Sequence, residues 1–453
     1  MATSERTTIL TETVKRLIRR DAKTHLSKIV NKTHAADLSL ILQALPKDQQ
    51  FILFELVDEL EKKGVLLSEL DQDTFTGLVE NLDADQLAAI FNEIPNDDVA
   101  DLLARLPEEL SQTILSKMHK DDSKEVEDLM QYDDDTAGGI MVPEFLALNG
   151  NMTAREAIAT IQKEENLEIE MPFYVYVVDD EGRLTGVVSL RQLVVTSPEK
   201  ALKNFMYKPV YSVTPDTDQE EVAKLVARYD ILAVPVVDEE NKIIGVVTVD
   251  DVLDVLREEA TADMLKMAGV GEEYADSKSV WKGFKIRTPW LVASCIGGII
   301  AASIIVLFGG TLALFPFLAA FQPVISGMGG NVGSQSATIV VRGIATGRIE
   351  VGSMAKIIGK ELAIGFAMGV MYGIVVGIIA QFKINVGMVG LVVGAALMFS
   401  MTIAALMGSA LPILFSRMKI DPAVATGPFV TTFVDIVSIT LYYLIAMFVL
   451  GWI

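Results

Sequence analysis

Residues 423–453 read AVATGPFVTTFVDIVSITLYYLIAMFVLGWI, and the single carboxylate among them, Asp435, decides how the rest of the chain is read. About 20 apolar residues suffice to cross a bilayer, and this run exceeds that. An acid near the middle of such a span costs at least ~2.5–3.5 kcal/mol, so it faces a protein interior or a water-filled path. Asp435 follows a Gly427-Pro428 break and lies one helical turn after Thr431. With no basic partner in its own span, it suits an incoming cation. The ordinary alternative is a neutral aspartic acid hydrogen-bonded between two helices.

Composition splits the chain in two. Residues 281–453 hold four acids (Glu350, Glu361, Asp421, Asp435) and ten Lys and Arg, a balance of +6. The first 280 residues carry 56 acids and 28 bases, a balance of −28. So acidic a half repels nucleic acid and attracts cations. No leading apolar segment resembles a signal peptide, which predicts that this half stays in the cytosol. Cys295 is the one cysteine, so no intrachain disulfide forms.

Five spans are expected at about 289–309, 316–341, 354–381, 387–415 and 423–452. Lys282, Lys285, Arg287, Arg342, Arg348, Lys356, Lys360, Arg417 and Lys419 fall on one side of them and only Lys383 on the other. The excess of positive charge predicts an internal N-terminus and an external Ile453.

Up to residue 130, short apolar patterns of period near 3.6 are interrupted at Leu45-Pro46, Ile94-Pro95 and Leu106-Pro107, predicting short amphipathic helices. Farther on, the chain repeats itself. The run Val177-Val178-Asp179-Asp180-Glu181-Gly182-Arg183-Leu184-Thr185-Gly186-Val187-Val188-Ser189 matches the run Val236 to Thr248 at an offset of 59. Each copy predicts a strand, an acidic turn, a strand and a helix start, after a helix at 154–162 or 219–229. An acid ladder follows: Asp250, Asp251, Asp254, Glu258, Glu259 and Asp263, with Arg257 the one base among them. Such i,i+4 like charges destabilise a helix by ~0.2–0.5 kcal/mol per pair, which divalent cations would relieve. Asp218, Glu220 and Asp230 add carboxylates to the same repeat. EF-hand spacing is absent, so any sites are open and oxygen-rich. A solvated helix face is the other reading.

The second span contains Pro323-Val324-Ile325-Ser326-Gly327-Met328-Gly329-Gly330-Asn331-Val332-Gly333-Ser334-Gln335-Ser336. Its polar groups would be costly facing lipid, and non-helical backbone at that depth is tolerated where it lines a cavity. Pro323 and Pro428 each remove an intrahelical bond. The expectation is two broken helices whose free carbonyls, with Asp435, make a cation-friendly conduit. Tight packing of small residues would account for the glycines alone.

The repeat resembles a tandem CBS pair. In it Gly245-Val246-Val247-Thr248-Val249-Asp250-Asp251 is similar to the motif whose Thr248 and Asp251 would hold an adenine nucleotide such as ATP. The first copy has Gln192 where that Asp falls, so one pocket at most is expected, and a purely structural pair is the alternative. Over essentially the whole chain, the order of parts resembles the MgtE family of bacterial magnesium channels. So do the motifs Gly329-Gly330-Asn331…Gln335-Ser336-Ala337-Thr338 and Asp421-Pro422…Gly427-Pro428-Phe429-Val430-Thr431-Thr432…Asp435.

The resemblance implies a multi-domain protein: an all-α N-terminal domain (1–138), an α/β CBS pair (139–256), a connecting helix (257–283) and an α-helical transmembrane pore domain of five spans (284–453). It implies a homodimer in the lipid of the bacterial plasma membrane, with Asp435 of each subunit holding hydrated Mg²⁺ beside Gly329, Gly330, Asn331, Pro428 and Thr431. Asp97 and Asp101 would face Asp218, Glu220, Asp230, Asp251 and Asp254 across an acidic cleft. Glu259, Asp263 and Asp421 would clamp the connecting helix, although Ala262 stands where another acid is expected. Asp421 before a proline also suits a helix start. Bridging Mg²⁺ would close the pore in negative feedback. The alternative is a broader carrier of Co²⁺, Mn²⁺ or Zn²⁺ with a nucleotide-sensing CBS module. No enzyme is expected: His25, His34 and His119 all precede the repeat, leaving no histidine ligands in the membrane.

Overall fold

A computed structural model describes residues 2–163, 173–270, 280–349 and 354–450. The chain separates into two compact units, Met1–Leu256 and Arg257–Ile453.

The first unit begins with helices α1 (Ala2–Arg19), α2 (Lys23–Lys32), α3 (Ala35–Gln43), α4 (Lys47–Glu55), α5 (Leu60–Ser68), α6 (Gln72–Val79), α7 (Ala84–Phe91), α8 (Asn96–Ala104), α9 (Glu108–Leu115) and α10 (Lys120–Leu129). Pro46, Pro95 and Pro107 each sit at the N-cap of the helix that follows, with ψ of 139–148°. Proline cannot continue the preceding helix but is preorganised for starting the next one. Asp71 accepts the Thr74 N–H, and Asp83 makes a reciprocal capping box with Gln86. Many short helices thus follow from frequent start and stop signals.

The repeat follows as β1 (Ala147–Asn149), α11 (Ala154–Lys163), β2 (Tyr174–Val178), β3 (Leu184–Ser189), α12 (Leu190–Val195), α13 (Gln219–Tyr229), β4 (Ala233–Val237) and β5 (Ile243–Thr248). Both hairpins are antiparallel, and each has an irregularity at the same place, Val177/Val178 and Val236/Val237. The acidic turns have a structural task in both. Asp179 accepts the N–H groups of Glu181 and Arg183, and Asp238 those of Glu240 and Lys242. A single core runs from Val14 through the helices to Val234, Val236, Val247 and Val255. The helical array and the second repeat therefore fold as one body.

The units meet in sequence within α14 (Val249–Met267), which carries the acid ladder. Residues 271–279 of the expected connecting helix lie outside the described residues. The second unit continues with α15 (Val280–Leu307), α16 (Gly309–Leu314), α17 (Leu318–Ala345), α18 (Met354–Ile384), α19 (Val389–Arg417), a 3-10 turn at Pro422–Ala425 and α20 (Pro428–Leu450). Among the described residues, four helices are long and apolar enough to cross a membrane: α15, α18, α19 and α20. The fifth expected span, α17, is 28 residues long but diluted by its glycines and polar side chains.

The expected broken helices are corrected. Helix α17 runs unbroken through Pro323 and the glycine segment. Pro428 opens α20 rather than interrupting it, and at a first helical position its missing N–H costs nothing. Small residues mostly serve packing. Gly329 and Gly333 are buried, with Val434 beside both. Helix α18 buries Gly365, Gly369, Gly373 and Gly377 at four-residue spacing. A Cβ on Gly373 would lie 2.6 Å from the Gly394 carbonyl oxygen, and one on Gly394 would lie 2.7 Å from that of Gly373. Backbone approach of this kind holds membrane helices together without a hydrophobic driving force.

Candidate functional site

In the membrane unit, Asp435 is half-buried on α20 and accepts a hydrogen bond from the Ser326 hydroxyl of α17. One turn on, Ser438 shares a 2.6 Å hydrogen bond with Ser400 of α19, whose hydroxyl also reaches the Ile325 carbonyl at 3.4 Å. A Cβ on Gly329 would lie 2.5 Å from the Ser400 Oγ. Three helices thus bring hydroxyls, a carboxylate and a carbonyl together where glycine lets the backbones close in. No basic side chain pairs with Asp435 among the described residues. Thr431 donates back to the Gly427 and Pro428 carbonyls at 3.3 Å, and its oxygen remains an acceptor. Asn331 and Gln335 lie on the exposed side of α17, and Gly330 has open space around it. Tyr442 and Tyr443, fully buried, donate to the Leu318 carbonyl and the Gln322 side chain and steady the start of α17.

Sequence reasoning passed over Glu361. It is 3% exposed, more buried than Asp435, and accepts a 2.9 Å hydrogen bond from the Ser336 hydroxyl. The polar segment of α17 carries no signal of which helix each of its serines meets.

In the first unit, several expected metal ligands have partners of their own. Asp218 caps α13 by accepting the Glu220 N–H at 2.8 Å, and Glu220 pairs with Lys224 at 2.9 Å. Asp230 closes α13 in a left-handed conformation with φ of 52°. Asp254 and Asp101 are exposed, Asp97 half-buried. In the second unit, Glu259 and Asp263 are half-buried. Asp421 caps the 3-10 turn through the Ala423 N–H at 2.8 Å, and its other oxygen meets the Lys266 ammonium at 2.9 Å. Among the described residues, no three His, Cys, Asp or Glu side chains gather in a metal-holding group.

Electrostatics are more telling. Burial, followed by Asp250 and Asp98 and against the Thr248 hydrogen bond, pushes Asp251 up to about 6. Burial and the charge of Glu69 raise Asp98 on α8 as well. Asp98, absent from the expected set, is therefore felt at Asp251. Neighbouring carboxylates of this kind repel one another, and a divalent cation between them would relieve that repulsion.

Thr248, 1% exposed, donates to Asp251 at the start of α14. Fifty-nine residues earlier, Ser189 and Gln192 form a capping box in the same place. Helix capping is thus common to both copies, and a carboxylate is peculiar to the second. Thr248 lines a small cleft with Val142, Glu144, Tyr174, Tyr176 and Val246. The Tyr176 hydroxyl there is buried without a hydrogen-bond partner among the described residues, and burial raises its pKa, so it stays protonated.

Residues 33–135 match the domain family described as the MgtE intracellular N domain, residues 137–197 and 202–258 match CBS domains, and residues 322–445 match a divalent cation transporter family named MgtE. The chain is 38% identical over 325 residues to the magnesium transporter MgtE of Thermus thermophilus, covering 70% of this chain and 71% of that one. It is 36% identical over 315 residues to the magnesium transporter MgtE of Enterococcus faecalis, covering 70% and 69%. Among solved structures it is similar to the cytosolic domain of the Mg²⁺ channel MgtE in complex with ATP, with a TM-score of 0.51 and 34% identity, over 54% of this chain and 99% of that one. The soluble part of a magnesium transporter gives a TM-score of 0.50 at 28% identity, over 56% and 99%.

Proposed function

This chain belongs to the MgtE family of divalent-cation transporters, and from that premise we propose that it is a magnesium-selective channel, a homodimer of the bacterial plasma membrane, that admits Mg²⁺ and closes as cytosolic Mg²⁺ rises. The observation that carries this reading is Asp435, held by Ser326 in a cluster of hydroxyls, with no basic partner among the described residues. An acid so placed attracts a cation. One carboxylate per subunit, amides and hydroxyls can hold an ion that keeps most of its water, which suits Mg²⁺ because it dehydrates reluctantly. Asn331 and Gln335 on the exposed side of α17 would be costly against lipid; a second copy and a water-filled path between the two would accommodate them. The N-terminus is cytoplasmic and the C-terminus external.

Closure is by charge neutralisation. Asp97, Asp98, Asp101, Asp218, Glu220, Asp230, Asp251 and Asp254 repel when cytosolic Mg²⁺ is scarce and are bridged when it is plentiful. Glu259 and Asp263, with Asp421, then hold the connecting helix, which with the parts 1–138, 139–256 and 284–453 completes the working division of the chain. Moving the open-to-closed ratio from 99:1 to 1:99 takes ~5.5 kcal/mol of differential binding. A single weak site near its own Kd supplies a fraction of that, so several must act together. An adenine nucleotide, ATP being the one bound in the similar cytosolic domain, would use Thr248 and Asp251, with the buried Tyr176 hydroxyl available in the cleft that Thr248 lines.

Purified protein in liposomes tests the reading. Asp435→Ala should abolish Mg²⁺ selectivity or flux while the protein still folds. Raising Mg²⁺ on the side of the N-terminal half through the millimolar range should shut wild-type current and slow protease cleavage near 130–140 and 264–280. Wild-type Mg²⁺ selectivity in Asp435→Ala would refute the pathway, and current indifferent to internal Mg²⁺ would refute the feedback.

A further inference from the structure

The serines and threonines of the apolar helices mostly bond to their own backbone. Ser303, Thr402, Ser409 and Thr440 each donate to the carbonyl four residues earlier, at 2.7–2.8 Å. Two serines of α17 do otherwise. Ser326 reaches Asp435 on α20, and Ser336 reaches Glu361 on α18. An acid 3% exposed within an apolar helix is expensive, and one neutral donor is the only hydrogen bond it receives among the described residues. Burial at that cost calls for a function.

Geometry supplies one. The two serines are ten residues apart, about 15 Å along the helix at 1.5 Å per residue. Ser336 follows Asn331 by five residues, about 140° around the axis, so a tie on the buried side governs where the exposed Asn331 points. A helix pinned at one level can pivot, whereas pins at two levels from two different helices set both its rotation and its lateral place. Helix α18 is itself held, because its glycines meet the backbone of α19. We propose that Glu361 is a positioning residue of the ion pathway, holding α17 through Ser336 so that Ser326 and Asn331 keep their register with Asp435. This rests on Asp435 lining the pathway.

Reconstituted full-length protein should be compared as wild type, Ser336→Ala, Glu361→Ala, their combination, Glu361→Gln and Asp435→Ala. The readouts are Mg²⁺-over-K⁺ permeability per folded protein, and thermal stability. Loss of the tie should cut discrimination about tenfold in either single alanine variant, the worth of one buried hydrogen bond. The combination should be no worse, since both remove the same tie, and Glu361→Gln, which keeps an acceptor, should stay within about twofold of wild type. Glutamine as damaging as alanine would overturn the inference, because the charge and not the hydrogen bond would then be in use. So would variants that melt earlier yet discriminate normally. If Glu361→Ala fails to fold, the smaller Ser336→Ala change still decides. Asp435→Ala damaging with Ser336→Ala silent sinks this inference alone, and both silent sinks the pathway with it. Asp435→Ala silent with Ser336→Ala damaging takes Asp435 out of the pathway and overturns the register proposed here, whatever Glu361→Gln does.

Discussion

Replacing Asp251 by Asn should change how the stability of the first unit responds to pH. Asp251 titrates at about 6 in the folded chain, against an ordinary 3.8, chiefly because it is buried. The folded state therefore holds the proton more tightly than the unfolded state. Below pH 3.8 both states are protonated and the favourable contribution of the neutral acid is fully present; it is lost as pH rises through about 6. A shift of about two units at 1.36 kcal/mol each is worth ~3 kcal/mol, and solvent reaching the partly exposed carboxyl lowers that to ~1.5–3 kcal/mol. Asparagine stays neutral and keeps an oxygen for the Thr248 hydroxyl, so the variant should be more stable than wild type by that amount at pH 7. For a unit of this size that is about 4–10 °C in melting temperature. Thermal melts of full-length protein without divalent cations, from pH 4 to 8, should show the difference shrinking towards zero at pH 4. A difference independent of pH, or a variant less stable at pH 7, would refute the reasoning.

Gly373→Val should destabilise the membrane unit: a Cβ 2.6 Å from a carbonyl oxygen forces the axes apart towards the ordinary ~3.3 Å, at about 1–3 kcal/mol. Gly298→Val, with nothing within 4 Å, should melt near the wild-type temperature in detergent, and equal losses would contradict the packing. Lys266→Ala should weaken closure, raising the internal Mg²⁺ needed to shut the current by about fivefold or less, the worth of a partly exposed ion pair. A lowered threshold would mean instead that the lysine competes with Mg²⁺ for Asp421. Thr248→Ala should weaken ATP binding in calorimetry by about tenfold through loss of one hydrogen bond; no heat of binding in wild type would make the repeat a scaffold.

Much of this protein was legible along the chain, because the signals involved are local. Prolines 46, 95 and 107 mark helix starts by removing an N–H, and the 59-residue repeat reappears down to the irregularity in each hairpin. Asp421 before Pro422 caps a turn, one of the two uses its neighbours allowed. The glycine segment was misread as a break, since a single proline early in a 28-residue helix costs one bond that neighbouring helices can offset by packing. What only the tertiary structure decided is partnership: Ser326 with Asp435, Ser336 with Glu361, Lys266 with Asp421, Asp98 felt at Asp251. Helix periodicity determines which residues share a face, but which face meets which depends on close packing between helices distant in sequence, and the energy of a buried charge depends on that choice.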